Sequence, residues 1–432
     1  MIERIRLIPY LLFSLFWLIG CNDTIDSPLP TSTATVHVQA TPSATASLVA
    51  SPQPTITPEV TILTLWDVFL VEVNNLSPAE RQQRVDNYLA TVEATPLTHE
   101  HRAVFLWQGE AQSVVLAGDM NGWNLDAAAA FQQIASTDLW YLEATFPPSA
   151  RLDYKIVVNG GNWQLDPLNP RTMLGGFGPN SELIMPDYVA PAELSGDAPA
   201  GTVTQHRLTS NTLGRARTFY VYTPAQFDPT LVYPSLYVHD GTDYLHLIDA
   251  PLILDRLIAA GEIPPLVVVF IPPLQREVEY RNNDPYVTFL ADELVPFVQT
   301  EYHTSPDAGQ TGTLGASMGG LISVYAAAVR PDIFGLVAGQ SGAYSLDDDA
   351  VIQLLATRPQ PIPVRFHLVV GTYETAVGGN NQEGNLLAAN QRLVAVLESQ
   401  GIVYRYAELP DGHSWGLWQR QLGAALRFLY GQ

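Results

Sequence analysis

The chain has 432 residues, of which 47% are hydrophobic and 15% are charged, and its formal net charge at pH 7 is −22. This length allows two or three domains and at least one large core. The negative charge argues against nucleic acids and anionic headgroups as partners because their phosphates would repel the protein, although an anionic small molecule responds only to its own pocket.

The N-terminus has the features of a bacterial export signal. Arg4 and Arg6 precede an apolar segment, residues 7–19, that is too short to span a membrane comfortably. The sequence LIGC that follows resembles a lipobox, and Cys21 is the only cysteine in the chain, which leaves no intrachain disulfide. We therefore predict a lipoprotein signal peptide over residues 1–21 and a lipidated Cys21 that anchors an extracytoplasmic protein to the bacterial cell membrane. A conventional signal peptide or an uncleaved anchor is the alternative.

Residues 22–62 are predicted to be a disordered tether. The segment 27–60 is rich in Ser, Thr, Pro and Ala and nearly free of charge, so it lacks the apolar surface that would offset its chain entropy. A segment of this composition holds a folded domain away from the membrane.

A β-rich domain is predicted over residues 63–190. It opens with a short helix, because Ser77, Pro78 and Glu80 form a capping box. Between residues 101 and 186, short segments rich in Val, Leu, Tyr and Phe alternate with Gly, Asn, Asp and Pro. This pattern is typical of an antiparallel sandwich of immunoglobulin size.

An α/β domain is predicted over residues 191–432. A second linker is predicted at residues 188–201, so the start of this domain belongs to the linker and its regular pattern begins beyond residue 201. Seven short apolar segments, beginning with RTFYVYTP and ending with VYRYAELPDG, alternate with helical segments such as PYVTFLADELVPFVQTEY. This alternation predicts a mostly parallel sheet that is covered by helices on both faces.

The stretch LGASMGG places Ser317 in a G-x-S-x-G pattern between a predicted strand, TGTL, and a predicted helix, GLISVYAAAVR. A strand-to-helix turn is the context of a nucleophile elbow, in which Gly315 and Gly319 leave room for a sharp turn that exposes the serine hydroxyl. The following amide, that of Met318, lies at a helix N-terminus and can donate to a developing oxyanion. The alternative is a tight glycine turn with a solvated serine.

His413 is the candidate base, because it follows the last predicted strand and so has the Ser–acid–His chain order of α/β-hydrolases. A loop histidine with only a structural role is the alternative. The candidate acid is Glu374, the first acidic residue after the strand RFHLVV, since a carboxylate there would hold the imidazole tautomer. Glu383 and Asp411 are the other candidates for the acid.

The second oxyanion donor is predicted to be the amide of Thr242, which follows the strand in SLYVHDGTDY. Asp240, in the same stretch, is a candidate for the wall of the substrate pocket. The sequence contains no P-loop, no GxGxxG pattern and no cluster of His, Cys and Glu at metal-ligand spacing. We therefore predict neither a metal nor a nucleotide cofactor.

The C-terminal domain resembles the esterase D and enterochelin esterase-like group of α/β-hydrolases. The matching stretches are LYVHDG, GASMGG, RPDIFGLVAGQSGAY and DGHSWGLW, together with REVEY, which supplies an R-x-x-E pair. The resemblance implies the triad and the oxyanion donors assigned above. It also places Arg276 and Glu279 near the substrate, with Trp415 in the same pocket, although a surface ion pair is the alternative for Arg276 and Glu279. Mycolyltransferases share this fold, so acyl transfer to an alcohol other than water stays open.

The β-rich domain resembles a glycogen-binding-type carbohydrate-binding module and its immunoglobulin-like E-set relatives. The matching segments are VVLAGDMNGWN, LWYLEATF, LDYKIVVNGGNWQLDPLNP and GPNSEL. The resemblance implies Trp123, Lys155, Trp163 and Asn180 as sugar contacts, since indoles stack on sugar faces and Lys and Asn hydrogen-bond hydroxyls. Enterochelin esterases carry a similar N-terminal domain that forms a lid and wall of the active site, and core or interface tryptophans are a further alternative.

The predicted fold class is therefore an α/β-hydrolase with a doubly wound sheet, preceded by an all-β immunoglobulin-like (E-set) sandwich. The predicted function is that of a lipid-anchored, extracytoplasmic serine esterase that forms and hydrolyses an acyl-enzyme. Candidate substrates are a siderophore lactone or an acylated or feruloylated saccharide. The alternatives are an acyltransferase of the mycolyltransferase type and a carbohydrate-binding lipoprotein with a degenerate hydrolase domain.

Overall fold

The computed structural model describes residues 61–378 and 382–431, which lie in one unit, Glu59–Gln432. The predicted signal peptide, the lipidated Cys21 and residues 22–60 of the predicted tether lie outside the described residues. Within the described residues, no helix combines the length and the hydropathy needed to cross a membrane.

A helical hairpin opens the described structure and packs against the strand at residues 102–108. Its helices are α1 (Ile62–Asn75) and α2 (Pro78–Leu89). Trp66 of α1 is fully buried, and its indole N–H donates to Glu143 Oε1 at 2.9 Å. The capping pattern around Ser77 predicts α2, whereas none of the sequence patterns predicts α1.

Two antiparallel sheets follow, and side chains from both, among them Phe105 and Tyr154, meet in one buried cluster. In chain order the strands are β1 (Leu97–His99), β2 (Arg102–Gln108), β3 (Val114–Gly118), β4 (Ala129–Ala130), β5 (Gln132–Gln133), β6 (Leu139–Thr145), β7 (Arg151–Val158), β8 (Asn162–Gln164), β9 (Thr172–Gly175) and β10 (Gly178–Ile184). One sheet has the order β1-β2-β6-β5 and the other the order β4-β3-β7-β10-β9, with β8 paired to β7. We call this part of the chain the β unit; its assignment to the E-set class stays a prediction.

The remaining described residues form an eight-stranded mixed sheet. Its strands are β11 (Thr202–Ser210), β12 (Arg215–Thr223), β13 (Ser235–His239), β14 (Val267–Ile271), β15 (Thr311–Ala316), β16 (Leu336–Gln340), β17 (Arg365–Gly371) and β18 (Tyr404–Leu409). Their order is β11-β12-β14-β13-β15-β16-β17-β18, in which β11 and β12 run antiparallel to their neighbours and the other strands are parallel. The seven predicted segments coincide with β12–β18, whereas the sequence patterns do not predict the edge strand β11.

Helices cover both faces of this sheet. They are α3 (Gly241–His246), α4 (Ala250–Ala259), α5 (Arg276–Glu279), α6 (Asp284–Phe289), α7 (Val295–Tyr302), α8 (Met318–Val329), α9 (Leu346–Ala356), α10 (Leu386–Ser399) and α11 (Trp415–Tyr430), and a π-helical turn (Leu290–Leu294) joins α6 to α7. Successive residues of β14 alternate between two cores: Val267 and Val269 join one that contains α8 and α10, while Val268 joins one that contains α4 and α11. Since strand side chains alternate between faces, the two cores lie on opposite sides of the sheet.

The ends of four parallel strands bring the predicted site residues to one edge. Asp240 directly follows β13, Ser317 directly follows β15, and Glu374 and His413 follow β17 and β18 within a few residues. The carboxyl ends of parallel strands share one edge of a sheet, where open α/β folds bind their ligands. The predicted domain boundary at residues 190 and 191 lies between β10 and β11, and it stays a prediction.

Candidate active site

Ser317 occupies a strained turn between β15 and α8. Its backbone has φ 56° and ψ −121°, a conformation that costs free energy in a residue with a side chain. Three backbone hydrogen bonds hold it: the Ser317 N–H donates to Gln340 O at 2.9 Å, and its carbonyl accepts from Ala343 N at 3.0 Å and from Leu321 N at 3.1 Å. At Gly315 a Cβ would overlap the backbone of Gly319, so these glycines permit the tight turn. The fold thus holds one serine hydroxyl at the head of a helix.

Glu374 contacts the His413 ring. Its Oε2 lies 2.7 Å from His413 Nδ1, and the carboxylate is fully buried. Of the other candidate acids, Glu383 is exposed and Asp411 accepts a hydrogen bond from Arg151 Nη1 at 3.1 Å. A buried carboxylate on Nδ1 orients the imidazole and stabilises its protonated form, which is what proton transfer at Nε2 requires.

The sequence analysis missed two further side chains, Ser341, which holds the Glu374 carboxylate, and Trp418, which holds Ser341. Glu374 Oε1 accepts from Ser341 Oγ at 2.6 Å and from Gly371 N at 2.7 Å. Ser341 Oγ in turn accepts from the Trp418 indole N–H at 2.9 Å. The Trp418 ring also packs edge-on against the His413 ring, with centroids 5.0 Å apart. Ser341 lies in GQSGAY and Trp418 in DGHSWGLW, so the family resemblance marks both stretches without giving these contacts.

The two predicted oxyanion donors lie in the first turns of two helices. Met318 is the first residue of α8, and Thr242 is the second residue of α3. The amides of a first helical turn have no preceding carbonyl of the same helix as acceptor, and the helix dipole favours negative charge there. The position of both amides in a first helical turn is compatible with the predicted role of oxyanion donor, which stays a prediction.

The structure separates Arg276 from Glu279. Arg276 lines the cavity beside Ser317 and donates to Asp240 through Nε at 2.8 Å and Nη2 at 2.9 Å. Glu279 is almost fully buried, is not among the cavity residues and accepts from Arg217 Nη1 at 2.5 Å. The role of Arg276 at the substrate stays a prediction. Of the R-x-x-E pair, Arg276 lines the candidate substrate cavity and Glu279 does not. The reason is that Arg217, on the neighbouring strand β12, supplies the counter-charge that Glu279 needs inside the core.

One cavity contains Ser317 and His413 together with residues of the β unit. Its volume is about 790 Å³. The predicted pocket residues Asp240, Arg276 and Trp415 line it, and so do all of the predicted sugar contacts, Trp123, Lys155, Trp163 and Asn180. Trp123 and Trp163 lie nearly parallel, with ring centroids 6.5 Å apart. The β unit therefore forms one wall of the candidate active site, and its aromatic residues face the same space as the serine.

A buried carboxylate cluster, formed by Asp119, Asp153, Glu182 and Asp411, joins the β unit to the loop that carries His413. The guanidinium of Arg151, which is fully buried, lies among them. Its Nε donates to Glu182 Oε1 at 2.8 Å and its Nη1 to Asp411 Oδ1 at 3.1 Å, and it also pairs with Asp153. Arg151 thus links the β unit to Asp411, in the loop that follows β18.

Burial also perturbs the cluster's protonation. Burial raises the pKa of Asp411 from 3.8 to about 6, although Arg151 opposes the change. Burial, reinforced by the neighbouring carboxylates of Asp153 and Asp411, raises the pKa of Asp119 well above its ordinary value.

Two glycines beside His413 make room for this cluster. A Cβ at Gly412 would overlap the Asp119 carboxylate, and a Cβ at Gly416 would overlap the Arg151 guanidinium. Between them, Ser414 caps α11 by accepting from Leu417 N, and it accepts from Arg151 Nη1 at 2.8 Å. The loop of His413 is therefore shaped to fit the β unit. Within residues 61–378 and 382–431, no group of His, Cys, Asp and Glu side chains is arranged to hold a metal ion.

Comparison with known proteins adds a family and a fold. The profile of the family described as "Putative esterase" matches residues 210–429, just over half of the chain. The iron(III) salmochelin esterase of Escherichia coli is 25% identical over 340 residues, which cover 69% of this chain and 79% of that protein. An endo-1,4-beta-xylanase/feruloyl esterase of Xylanibacter ruminicola is 27% identical over 164 residues, which cover 34% of this chain and 23% of that protein. The solved structure of the ferric enterobactin esterase from Salmonella typhimurium shares the α/β-hydrolase fold, with a TM-score of 0.68 at 22% identity over 80% of this chain and 98% of that one.

Proposed function

Since the chain belongs to this esterase family and is a carboxylic-ester hydrolase, we propose that Ser317 is its nucleophile, His413 its general base and Glu374 the acid that orients the imidazole. The observation that carries the proposal is the 2.7 Å contact of buried Glu374 with His413 Nδ1, in a cavity that Ser317 also lines. The strained Ser317 backbone supports it, because such strain is typical of nucleophile elbows.

The proposed reaction proceeds through an acyl-enzyme. His413 Nε2 takes the Ser317 hydroxyl proton as Oγ attacks the ester carbonyl, and the amides of Met318 and Thr242 bind the oxyanion. The protonated imidazole then returns its proton to the leaving alcohol. Water, activated by the same histidine, releases the acid. Acyl transfer would differ only in the second acceptor, an alcohol in place of water.

The proposed substrates are a siderophore ester or an acylated or feruloylated saccharide. The salmochelin and feruloyl esterases among the relatives support these two classes. The cavity supports them too, because Trp123 and Trp163 offer flat apolar faces to an aromatic ring or a sugar ring. Sugar contact by the β unit is thus proposed as part of ester binding rather than as a separate function. The proposed setting is extracytoplasmic and lipid-anchored, supported by the N-terminal pattern that ends at Cys21.

A fluorophosphonate probe tests the assignment of the nucleophile, because it labels only an activated serine. We expect rapid labelling of the full-length protein on the peptide that contains Ser317, located by mass spectrometry, and no labelling of the Ser317→Ala variant. Labelling on another peptide would show that a different residue is the nucleophile. No labelling of the wild type would favour a binding lipoprotein with a degenerate hydrolase domain.

Removing the Ser341 hydroxyl should slow the reaction without weakening substrate binding. Glu374 Oε1 would lose the 2.6 Å hydrogen bond and keep only that of Gly371, so the carboxylate would hold the imidazole less firmly. We expect Ser341→Ala to lower kcat about tenfold, the effect of losing one charge-assisted hydrogen bond, with KM unchanged. Ser323→Ala is the matched control, because that buried hydroxyl bonds only to Gly319 O in the preceding turn of α8. Equal kcat values for both variants would remove Ser341 from the positioning network.

A further inference from the structure

Lys155 is the only lysine in the chain. The other residues among the 21 Lys and Arg are all arginine. Lys155 lies in β7, is half-buried and lines the cavity that contains Ser317 and His413. Two carboxylates that line the cavity are paired with arginine, Asp153 with Arg151 and Asp240 with Arg276. Arginine suits rigid, bidentate pairing, whereas lysine is a compact charge on a flexible stem.

The ammonium group of Lys155 has no partner within the described part of the chain. No carboxylate there lies within ion-pair distance of it, and no hydrogen-bond acceptor contacts it. Of the carboxylates that line the cavity, Asp153 contacts Arg151 and accepts from Asn180 Nδ2 at 3.2 Å, and Asp240 contacts Arg276, whereas Asp243 forms no ion pair with any described residue. Both oxygens of Asp119 accept hydrogen bonds, Oδ1 from the Trp123 indole N–H at 3.0 Å and Oδ2 from Asp153 N at 2.7 Å. Lys155 is therefore a cation of the cavity that forms no direct ion pair with a described carboxylate, although four aspartates line the same cavity.

We propose that Lys155 binds an anionic group of the ester substrate, a carboxylate, an ionised phenol or a phosphate, at a distance from the ester that Ser317 attacks. This inference rests on the proposed esterase function and narrows its substrates to esters that carry a negative charge. An anionic small molecule responds to the local field of its pocket, and in this cavity the unpaired ammonium of Lys155 supplies the positive charge that such a group needs. Trp123 and Trp163 line the same cavity and would cover the apolar part of such a molecule.

Kinetics on matched esters test the proposal. The probes are p-nitrophenyl butanoate, hexanoate and octanoate, and the same esters with a carboxylate at the far end of the acyl chain, assayed with full-length protein. We expect Lys155→Met to lower kcat/KM for at least one carboxylate ester by about tenfold to a hundredfold, the range for a hydrogen bond to a charged group, and to leave the neutral esters unchanged. Lys155→Arg should retain most of the activity on that ester because the charge remains.

Arg171→Met is the matched control, because it removes one cation from an exposed position of the β unit outside the cavity. It should affect the two ester series alike. Equal losses on neutral and carboxylate esters in Lys155→Met, or no loss on any carboxylate ester, would overturn the proposal. So would a loss in Arg171→Met as large as that in Lys155→Met.

A second measurement needs no turnover and separates failure of this inference from failure of the proposed function. Full-length Ser317→Ala protein is treated with acetic anhydride, and acetylation of Lys155, the one side-chain amine of the polypeptide, is followed by mass spectrometry. Monoethyl octanedioate should protect Lys155, whereas ethyl octanoate should not. Equal acetylation of Lys155 in the presence of monoethyl octanedioate and of ethyl octanoate would overturn the proposed anion site, even if the wild type hydrolyses esters. If the wild type cleaves no ester, the proposed function fails, and the protection result alone decides the role of Lys155.

Discussion

Replacing Ser317 with alanine should lower kcat for p-nitrophenyl ester hydrolysis by about 10⁵-fold to 10⁶-fold, the loss expected when the nucleophile of a triad is removed. The cause is chemical rather than structural. The hydroxyl is the group that forms the acyl-enzyme, while the turn around it is held by backbone hydrogen bonds to Gln340, Leu321 and Ala343 that alanine can also make. Initial rates of the full-length wild type and variant, with their free energies of unfolding in urea, measure the effect.

The control is a buried serine whose hydroxyl bonds to no member of the proposed triad. Ser323→Ala makes the same chemical change one and a half turns further along α8 and should retain kcat within about a factor of two, since its hydroxyl bonds only to Gly319 O. Substantial and equal rates for wild type and Ser317→Ala would disprove the elbow assignment. A loss of activity that is matched by unfolding of Ser317→Ala would assign the residue a structural role instead.

Replacing Arg151 with methionine should lower the free energy of unfolding by about 3–5 kcal/mol, because it removes the cation from a buried cluster and leaves the carboxylates facing one another. Arg151 has no exposed surface and contacts Asp153, Glu182 and Asp411 at once. Methionine is similar in length and apolar, so the volume is nearly kept while the charge is lost. Urea titrations of the full-length proteins measure the difference.

The loss of unfolding free energy in Arg151→Met should also depend on pH. In the wild type, the folded-state pKa of Asp411, raised by burial to about 6, exceeds its ordinary value of 3.8, so this group makes the protein less stable as pH rises through that window. Without Arg151, only Arg420 and the Gly412 N–H still lower this pKa, so the decline in stability should extend to higher pH. The destabilisation of Arg151→Met should therefore be larger at about pH 8 than at about pH 5.

Arg102→Met serves as the comparison, because Arg102 lies in the same β unit and pairs with Asp67 and Glu143 at an exposed position. Exposed ion pairs contribute about 0–1 kcal/mol. A loss in Arg151→Met no greater than that in Arg102→Met would show that the buried cluster contributes little to stability. A loss that is independent of pH would attribute the effect to packing rather than to charge.

The sequence predicts those parts of the molecule that local patterns encode. Ser317 is recognisable because the turn that exposes it needs glycines two residues away on each side and a strand and a helix around it, all within about 20 residues. The strands β12–β18 are predicted for a similar reason, since buried parallel strands are short, continuous apolar runs. The four residues predicted to contact sugar share one cavity, but only their resemblance to a known module singles them out.

Other features depend on contacts that no local pattern encodes. Arg151 and Asp411 are 260 residues apart, and no local pattern around either residue predicts their contact. Glu279 and its partner Arg217 are also far apart in the chain, separated by 62 residues. The local R-x-x-E pattern grouped Glu279 with Arg276 instead. The edge strand β11 is largely exposed along its length, so it lacks the apolar run by which the other strands are recognised. Helix α1 is apolar on its exposed side as well, with Leu65 and Val71 in solvent, which hides its helical periodicity.

Gly412 and Gly416 have a consequence for how such a protein can be recombined. Each glycine leaves a gap that one side chain of the β unit fills, so the surface of the histidine loop is complementary to this β unit. A chimera that joined this hydrolase domain to a different β unit would inherit a loop with two unfilled gaps and a carboxylate, Asp411, without its cation. Residues 410–416 would therefore have to be exchanged together with the β unit, as though the loop belonged to that domain despite lying more than 200 residues away in the chain.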